Sequence, residues 1–175
     1  QSFAYPARAL LALTSLFVAV QATYYALGIT FNRGTLVGIM HFLDTELLRT
    51  RLLESVWYLH IQPPLMNLFA GIILKITPES AWLFQAIFLT LGLTLCLSTF
   101  LLQLRLRVNQ KLAALLSTLF MASPSFILWE NFLLYTMPCA ALLALAAVLL
   151  CHLLEHRARW AIAGFFIVLT IICGM

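Results

Sequence analysis

The sequence predicts an all-α fold: a polytopic transmembrane helical bundle with an amphipathic interfacial loop after helix one. Three observations predict it. First, the 175 residues are 63% hydrophobic and only 9% charged, with a mean hydropathy of +1.02, whereas a soluble domain carries about 25% charged residues. Too little polar surface remains to coat a water-exposed globule. Second, the charges are clumped. Ala9 to Asn32 passes 24 residues without Asp, Glu, Lys or Arg, Ser80 to Leu104 passes 25, Leu112 to Trp129 18, Asn131 to Leu154 24, and Trp160 to Met175 16. A spanning helix needs roughly 20 mainly apolar residues. Third, these runs lack the alternation of a barrel strand, so helices are the spanning structure that remains.

The charge of +4 and the pI near 9.1 do not indicate nucleic acid, because the basic residues sit in short inter-helix loops and carry topology information instead. Cys96, Cys139, Cys151 and Cys173 lie inside hydrophobic runs, with no CxxC or Cys/His ligand spacing. They read as small buried hydrophobes, not metal ligands. The chain opens at Gln1 and stops at Met175 inside an apolar run. Residues 1–175 are therefore expected to form one transmembrane domain that is incomplete at its C-terminus. The first run is too long for a signal-peptide core and ends without a small-residue cleavage site, so it is expected to be a retained helix.

In order along the chain, Arg8 precedes helix one, predicted over Ala9 to Thr30. Residues 31–61 are the most polar stretch, holding Arg33, Asp44, Glu46, Arg49, Arg51 and Glu54 with His41 and His60. Leu36, Met40, Leu43 and Leu47 recur at helical spacing, as do Leu48, Leu52 and Val56, which predicts an external amphipathic loop at the membrane interface. Pro63 and Pro64 open a short helix within residues 62–77, about 21 Å long at 1.5 Å per residue and short for a full crossing. Long helices follow, predicted over Ser80 to Leu104, from Leu112 with a break at Ser123-Pro124-Ser125, to about Leu154, and from Trp160 onward. If the short helix crosses the bilayer, the Arg105–Lys111 loop falls outside, against the positive-inside rule. If it dips and returns, Arg8, Arg105–Lys111 and Arg157/Arg159 all fall inside. The second arrangement is preferred, and it puts residues 31–61 and 123–135 on one non-cytoplasmic face.

Asp44 and Glu46 lead the candidates for chemistry. Two carboxylates at a membrane surface can serve as general base, divalent-metal ligand or phosphate-site organiser. Two positions apart on a helix they face opposite ways, so they cooperate only if the helix breaks there. The bland reading pairs Glu46 with Arg49 or Thr50 and leaves Asp44 to water. Arg49 and Arg51 can hold a phosphate through their planar forks, or contact lipid head groups and the neighbouring glutamates. The string His60-Ile61-Gln62-Pro63-Pro64-Leu65 sets donors at head-group level, where an anionic lipid phosphate can meet them, or it is a plain helix start. Trp57 and Tyr58 suit an aromatic belt. Glu130 interrupts an apolar stretch, and a carboxylate at membrane depth is costly enough to be a functional candidate by default. The alternative is an interfacial glutamate at a helix end. His152 and His156 lie one turn apart beside Arg157 and Arg159, where a solvated interfacial role outweighs a metal or pigment site.

The order of these features resembles the GT-C type of polytopic glycosyltransferases, the mannosyltransferase and aminoarabinose-transferase-like group, over roughly Ala9 to Leu150. The strings that carry the likeness are Asp44-Thr45-Glu46, then His60-Ile61-Gln62-Pro63-Pro64-Leu65, then Ser123-Pro124, then Thr136-Met137-Pro138. The resemblance implies a transferase using a polyprenyl-phosphate-linked sugar donor at the non-cytoplasmic face of a bacterial inner membrane. It makes Asp44 and then Glu46 the residues that organise acceptor attack, with His60 and Gln62 lining the lipid-phosphate site; the substrate-binding Arg49 and Arg51 come from the residues themselves, as phosphate holders. The chain departs from the pattern in two places. Two residues separate His60 from Pro63 where the family usually has none or one. Thr136 stands where the family often has an aspartate, leaving Glu130, six residues earlier, as the substrate-binding acid. Such enzymes usually carry further helices, so this chain corresponds to the front module. Two rivals stay open: a structural subunit of a larger membrane assembly, and a pigment- or quinone-binding accessory subunit drawing on His41, His60 or His152.

Overall fold

The computed structural model describes residues 6–38, 42–58, 64–77, 81–156 and 158–175. It is an all-α bundle. Its helices are α1 (Ala7–Ala26), α2 (Thr35–Gly38), α3 (Thr45–Thr50), α4 (Leu52–Trp57), α5 (Pro64–Ile76), α6 (Ala81–Arg105), α7 (Gln110–Met121), α8 (Pro124–Glu130), α9 (Thr136–His156) and α10 (Arg159–Gly174). Among the described residues, the one departure from helix pairing is an isolated parallel bridge between Asn32 and Phe132. Helices α1, α6 and α9 are long and apolar enough to cross a membrane. The pair α7–α8, bent by 60°, passes as a fourth when taken as one broken span. The chain is a membrane protein.

Local chemistry sets the boundaries. Helix α1 stops four residues before Thr30 because Gly28 takes φ +89°, and the Ile29 N–H closes back onto the Tyr24 carbonyl at 3.0 Å, the usual glycine stop. Arg107 at φ 61° ends α6 in the same left-handed way, and the Asn109 side chain caps α7 by accepting from the Lys111 N–H at 2.9 Å. The break between α7 and α8 falls at Ser123-Pro124: Ser123 Oγ accepts from the Phe126 N–H at 3.3 Å, and Pro124 occupies a first-turn position where no N–H is needed.

Among the described residues, the amphipathic segment is three short helices instead of one stripe. Asp44, at φ −50° and ψ 132°, starts α3, and Arg51, at φ −129° and ψ 44°, separates α3 from α4. Each break resets the helical phase. Leu48 and Leu52 are buried while Leu47 is exposed, so the expected Leu36–Leu47 stripe does not form a single face. The Leu48–Leu52 stripe does, against α5. There, Leu52 fills the notch left by Gly71: a Cβ on Gly71 would lie 2.2 Å from Leu52 Cδ1.

Helix directions follow from side-chain contacts. Phe31, just past α1, packs on Phe84 and Phe88 near the start of α6, with ring centroids 6.3 and 5.2 Å away. Helices α1 and α6 are therefore antiparallel. The Tyr24 hydroxyl, near the end of α1, donates to the carbonyl of Ala122, just past α7, at 3.1 Å, so α1 and α7 run the same way. Arg105 at the end of α6 pairs with Glu155 near the end of α9 at 2.5 Å, so these two are parallel. Between α1 and α7 the chain thus makes one return pass, through α6, and α5 adds none. Phe69 of α5 rests on Phe84 of α6, centroids 5.8 Å apart. Leu65 sits against Gly174 at the far end of α10. Arg8, Arg105, Arg107, Lys111 and Arg159 gather at one end of the bundle; Phe31, α3, α4, α5 and α8 occupy the other half.

Candidate functional site

The candidate site is built at the end of the bundle away from the basic loops. Asp44 precedes α3 as its cap: its Oδ1 accepts the Glu46 N–H at 2.7 Å. One residue earlier, the Leu43 N–H donates to Asn67 Oδ1 of α5 at 2.8 Å, and Asn67 itself is buried. This bond, with Leu48 and Leu52 beneath, seats the acidic turn on α5. The helix begins between Asp44 and Glu46, so both carboxyl groups reach the exposed side of the turn. Arg49 and Arg51 are exposed on the same short segment. Among the described residues, the ion pairs are those of Arg105 and His156 with Glu155, so neither Arg49 nor Arg51 is tied to a described carboxylate.

Glu130 stands elsewhere. It ends α8, is 0% exposed, and its Oε2 accepts a hydrogen bond from Gln21 Nε2 of α1. Its Oε1 is buried and without a partner among the described residues. The carboxyl fits into α6 where Gly92 offers no side chain: a Cβ there would lie 1.9 Å from Oε1 and 2.7 Å from Cδ. Gly92 is the twelfth residue of the 25-residue α6, about 16 Å from its start at 1.5 Å per residue. This is the middle of a span.

Immediately after Glu130 the chain turns outward. The Asn32 N–H donates to the Asn131 carbonyl at 2.7 Å, and the Leu133 N–H donates to the Asn32 carbonyl at 3.1 Å. Thr35 Oγ1 donates to the Leu133 carbonyl at 2.8 Å. The two polar stretches, around residues 31–36 and 131–133, are joined backbone to backbone at one end of the bundle.

Two clefts open near this junction. The larger, about 590 Å³, lies between α1 and α6, with apolar walls from Phe17, Val18, Leu89 and Leu93 and polar groups from Gln21, Gln85 and Asn131. The smaller, about 410 Å³, lies beside it under Tyr24, Asn32, Ile127 and Phe132. The larger has the size and the mainly apolar, sparsely polar lining of a small-molecule site. Around the short helix α5 the space is taken by protein: Leu52 fills the notch at Gly71, and Leu65 at the start of α5 packs on Gly174 at the end of α10.

Asp44, Glu46, Arg49 and Arg51 therefore share one exposed turn, while Glu130 is enclosed in the bundle. His60 and Gln62, like His41 and Pro63, lie outside the described residues. His152 sits between His156 and Trp160 in tilted ring contacts, with centroids 4.6 and 4.8 Å away, at the basic end. Among the described residues, no group of three His, Cys, Asp or Glu side chains is placed to hold a metal. Sequence reasoning missed Gln21, Gly92 and Asn67. Gln21 carried a signal, as an isolated amide in a run of 24 residues without charge; Gly92 and Asn67 matter only through partners distant in sequence. Comparison with protein-family models, curated proteins and solved structures finds no match to this chain.

Proposed function

We propose that this chain is the front module of a GT-C-like membrane glycosyltransferase that takes a polyprenyl-phosphate-linked sugar at the non-cytoplasmic face of a bacterial inner membrane. One observation carries the reading: the apolar cleft between α1 and α6 opens in the same half of the bundle as the exposed carboxylates of Asp44 and Glu46. The basic loops gather at the opposite end, which the positive-inside rule assigns to the cytoplasm. The isoprenoid chain lies along Val18, Leu89 and Leu93. The phosphate meets the arginines of the outer turn, Arg49 and Arg51, whose forks suit it. Asp44 acts on the acceptor hydroxyl as general base, the role an exposed carboxylate at this level can fill.

The filled space behind α5 favours a second reading, a structural subunit of a larger membrane assembly that kept the transferase architecture without its activity. Transfer of radiolabelled sugar from a polyprenyl-phosphate donor, assayed in membranes carrying the whole gene product, separates the two. The transferase reading expects incorporation that Asp44→Asn abolishes. Incorporation equal in the wild type and in Asp44→Asn removes Asp44 from the mechanism, and no incorporation in either leaves the subunit reading.

A further inference from the structure

We propose that Glu130 is a positioning residue: its bond to Gln21 and its seat on Gly92 fix the junction that carries the outer acidic turn. This deepens the transferase reading and rests on it only for the role of that turn.

Three facts lead there. Glu130 is fully enclosed, so no donor or acceptor reaches it in this state, and its only described side-chain partner is Gln21. A polar group so deep in a span is costly unless it is bonded, and one of its two oxygens has no partner among the described residues. An apolar side chain of similar size, such as leucine, would fill the space at less cost. What the carboxyl provides is a three-way tie. It joins the end of α8 to α1 through Gln21 and to the middle of α6 through the Gly92 notch.

The next three residues pass that tie outward. Asn131 and Leu133 pair with Asn32, and Leu133 also accepts from Thr35. Thr35 begins α2, and farther along the chain Asn67 holds the Leu43 N–H, one residue before Asp44, on α5. Glu130 therefore fixes the depth at which residues 131–133 leave the bundle, and with it the register of residues 32–35. Backbone-to-backbone pairing of two loops has no side-chain code of its own and slips easily unless something fixes its register.

Amide hydrogen exchange of the chain in lipid nanodiscs tests this without any sugar donor, so its outcome is separate from that of the transferase reading. Two variants break the tie, Glu130→Leu and Gln21→Leu; the swap Gln21→Glu/Glu130→Gln rebuilds it with amide and carboxyl exchanged. The expected result is about tenfold faster exchange at the Asn32 and Leu133 amides in each single variant, with α9 and α10 unchanged, as for a local opening. The swap should restore protection. Exchange at Asn32 and Leu133 that stays at the wild-type rate overturns the proposal. So does a rise spread evenly through the bundle, or a local rise that the swap does not reverse. If a single variant does not fold, the swap still decides: wild-type protection at both amides supports the tie, and lost protection overturns it.

Discussion

Replacing Gly92 by alanine should destabilise the bundle, against the usual sign of that substitution. In an ordinary helix interior, glycine to alanine gains roughly 1 kcal/mol from backbone entropy. Here the new Cβ would lie 1.9 Å from Glu130 Oε1, 2.7 Å from Cδ and 3.3 Å from Cγ. The clash reaches back along the side chain, so rotating the carboxyl alone does not relieve it. Glu130 has no exposed surface to move toward. Moving it breaks the Gln21 bond, which costs about 1–3 kcal/mol, and the overpacking adds about 1–3 kcal/mol. After the propensity gain, a net loss of about 1–5 kcal/mol remains. Gly164→Ala is the control. Its Cβ would meet Leu149 at 3.5 Å, an ordinary contact, so it should be neutral or stabilise by up to about 1 kcal/mol. Reversible unfolding in mixed micelles measures both. Equal effects at Gly92 and Gly164 would refute the notch and the reasoning built on it.

Three further outcomes follow from the same contacts. Asp44→Asn should leave the unfolding midpoint within about 0.5 kcal/mol of wild type, since asparagine caps α3 as well as aspartate does; a larger shift means that the carboxylate makes a structural bond beyond the cap. Asn67→Leu should cost about 1–2 kcal/mol by stranding the Leu43 N–H and should speed proteolysis within residues 42–58, which limited digestion will detect. In cells, the single substitutions Gly34→Cys and Ser125→Cys should both react with an impermeant maleimide from outside while Lys111→Cys does not. Opposite accessibility at positions 34 and 125 would contradict the one-face arrangement.

The elements were legible where a local signal sets them. The charge-free runs announced α1, α6, α9 and α10; Ser123-Pro124 announced the break in the third run, and the two prolines announced α5. Asp44 and Glu46 were visible as acids in a polar stretch, but the cap geometry that exposes both was not, because it depends on where α3 begins. The stripe through Leu36, Leu43 and Leu47 misled because periodicity assumes an unbroken helix, and Asp44 and Arg51 break it. Glu130 stood out as a lone charge. Its enclosure did not, because it takes Gln21, 109 residues away, and a glycine in α6 to create it. The register of Asn32 against Phe132 left no trace in composition, since it is made of backbone groups that every residue carries.

The proposed function is tested most directly by photocrosslinking the chain in nanodiscs with a polyprenyl-phosphate analogue bearing a diazirine on its isoprenoid chain, and mapping the adducts by mass spectrometry. Adducts should concentrate on Val18, Leu89 and Leu93 in the cleft between α1 and α6 and be displaced by excess unmodified polyprenyl phosphate. Adducts spread over the exposed lipid-facing side chains of α1 and α10, at levels the competitor does not change, would contradict it.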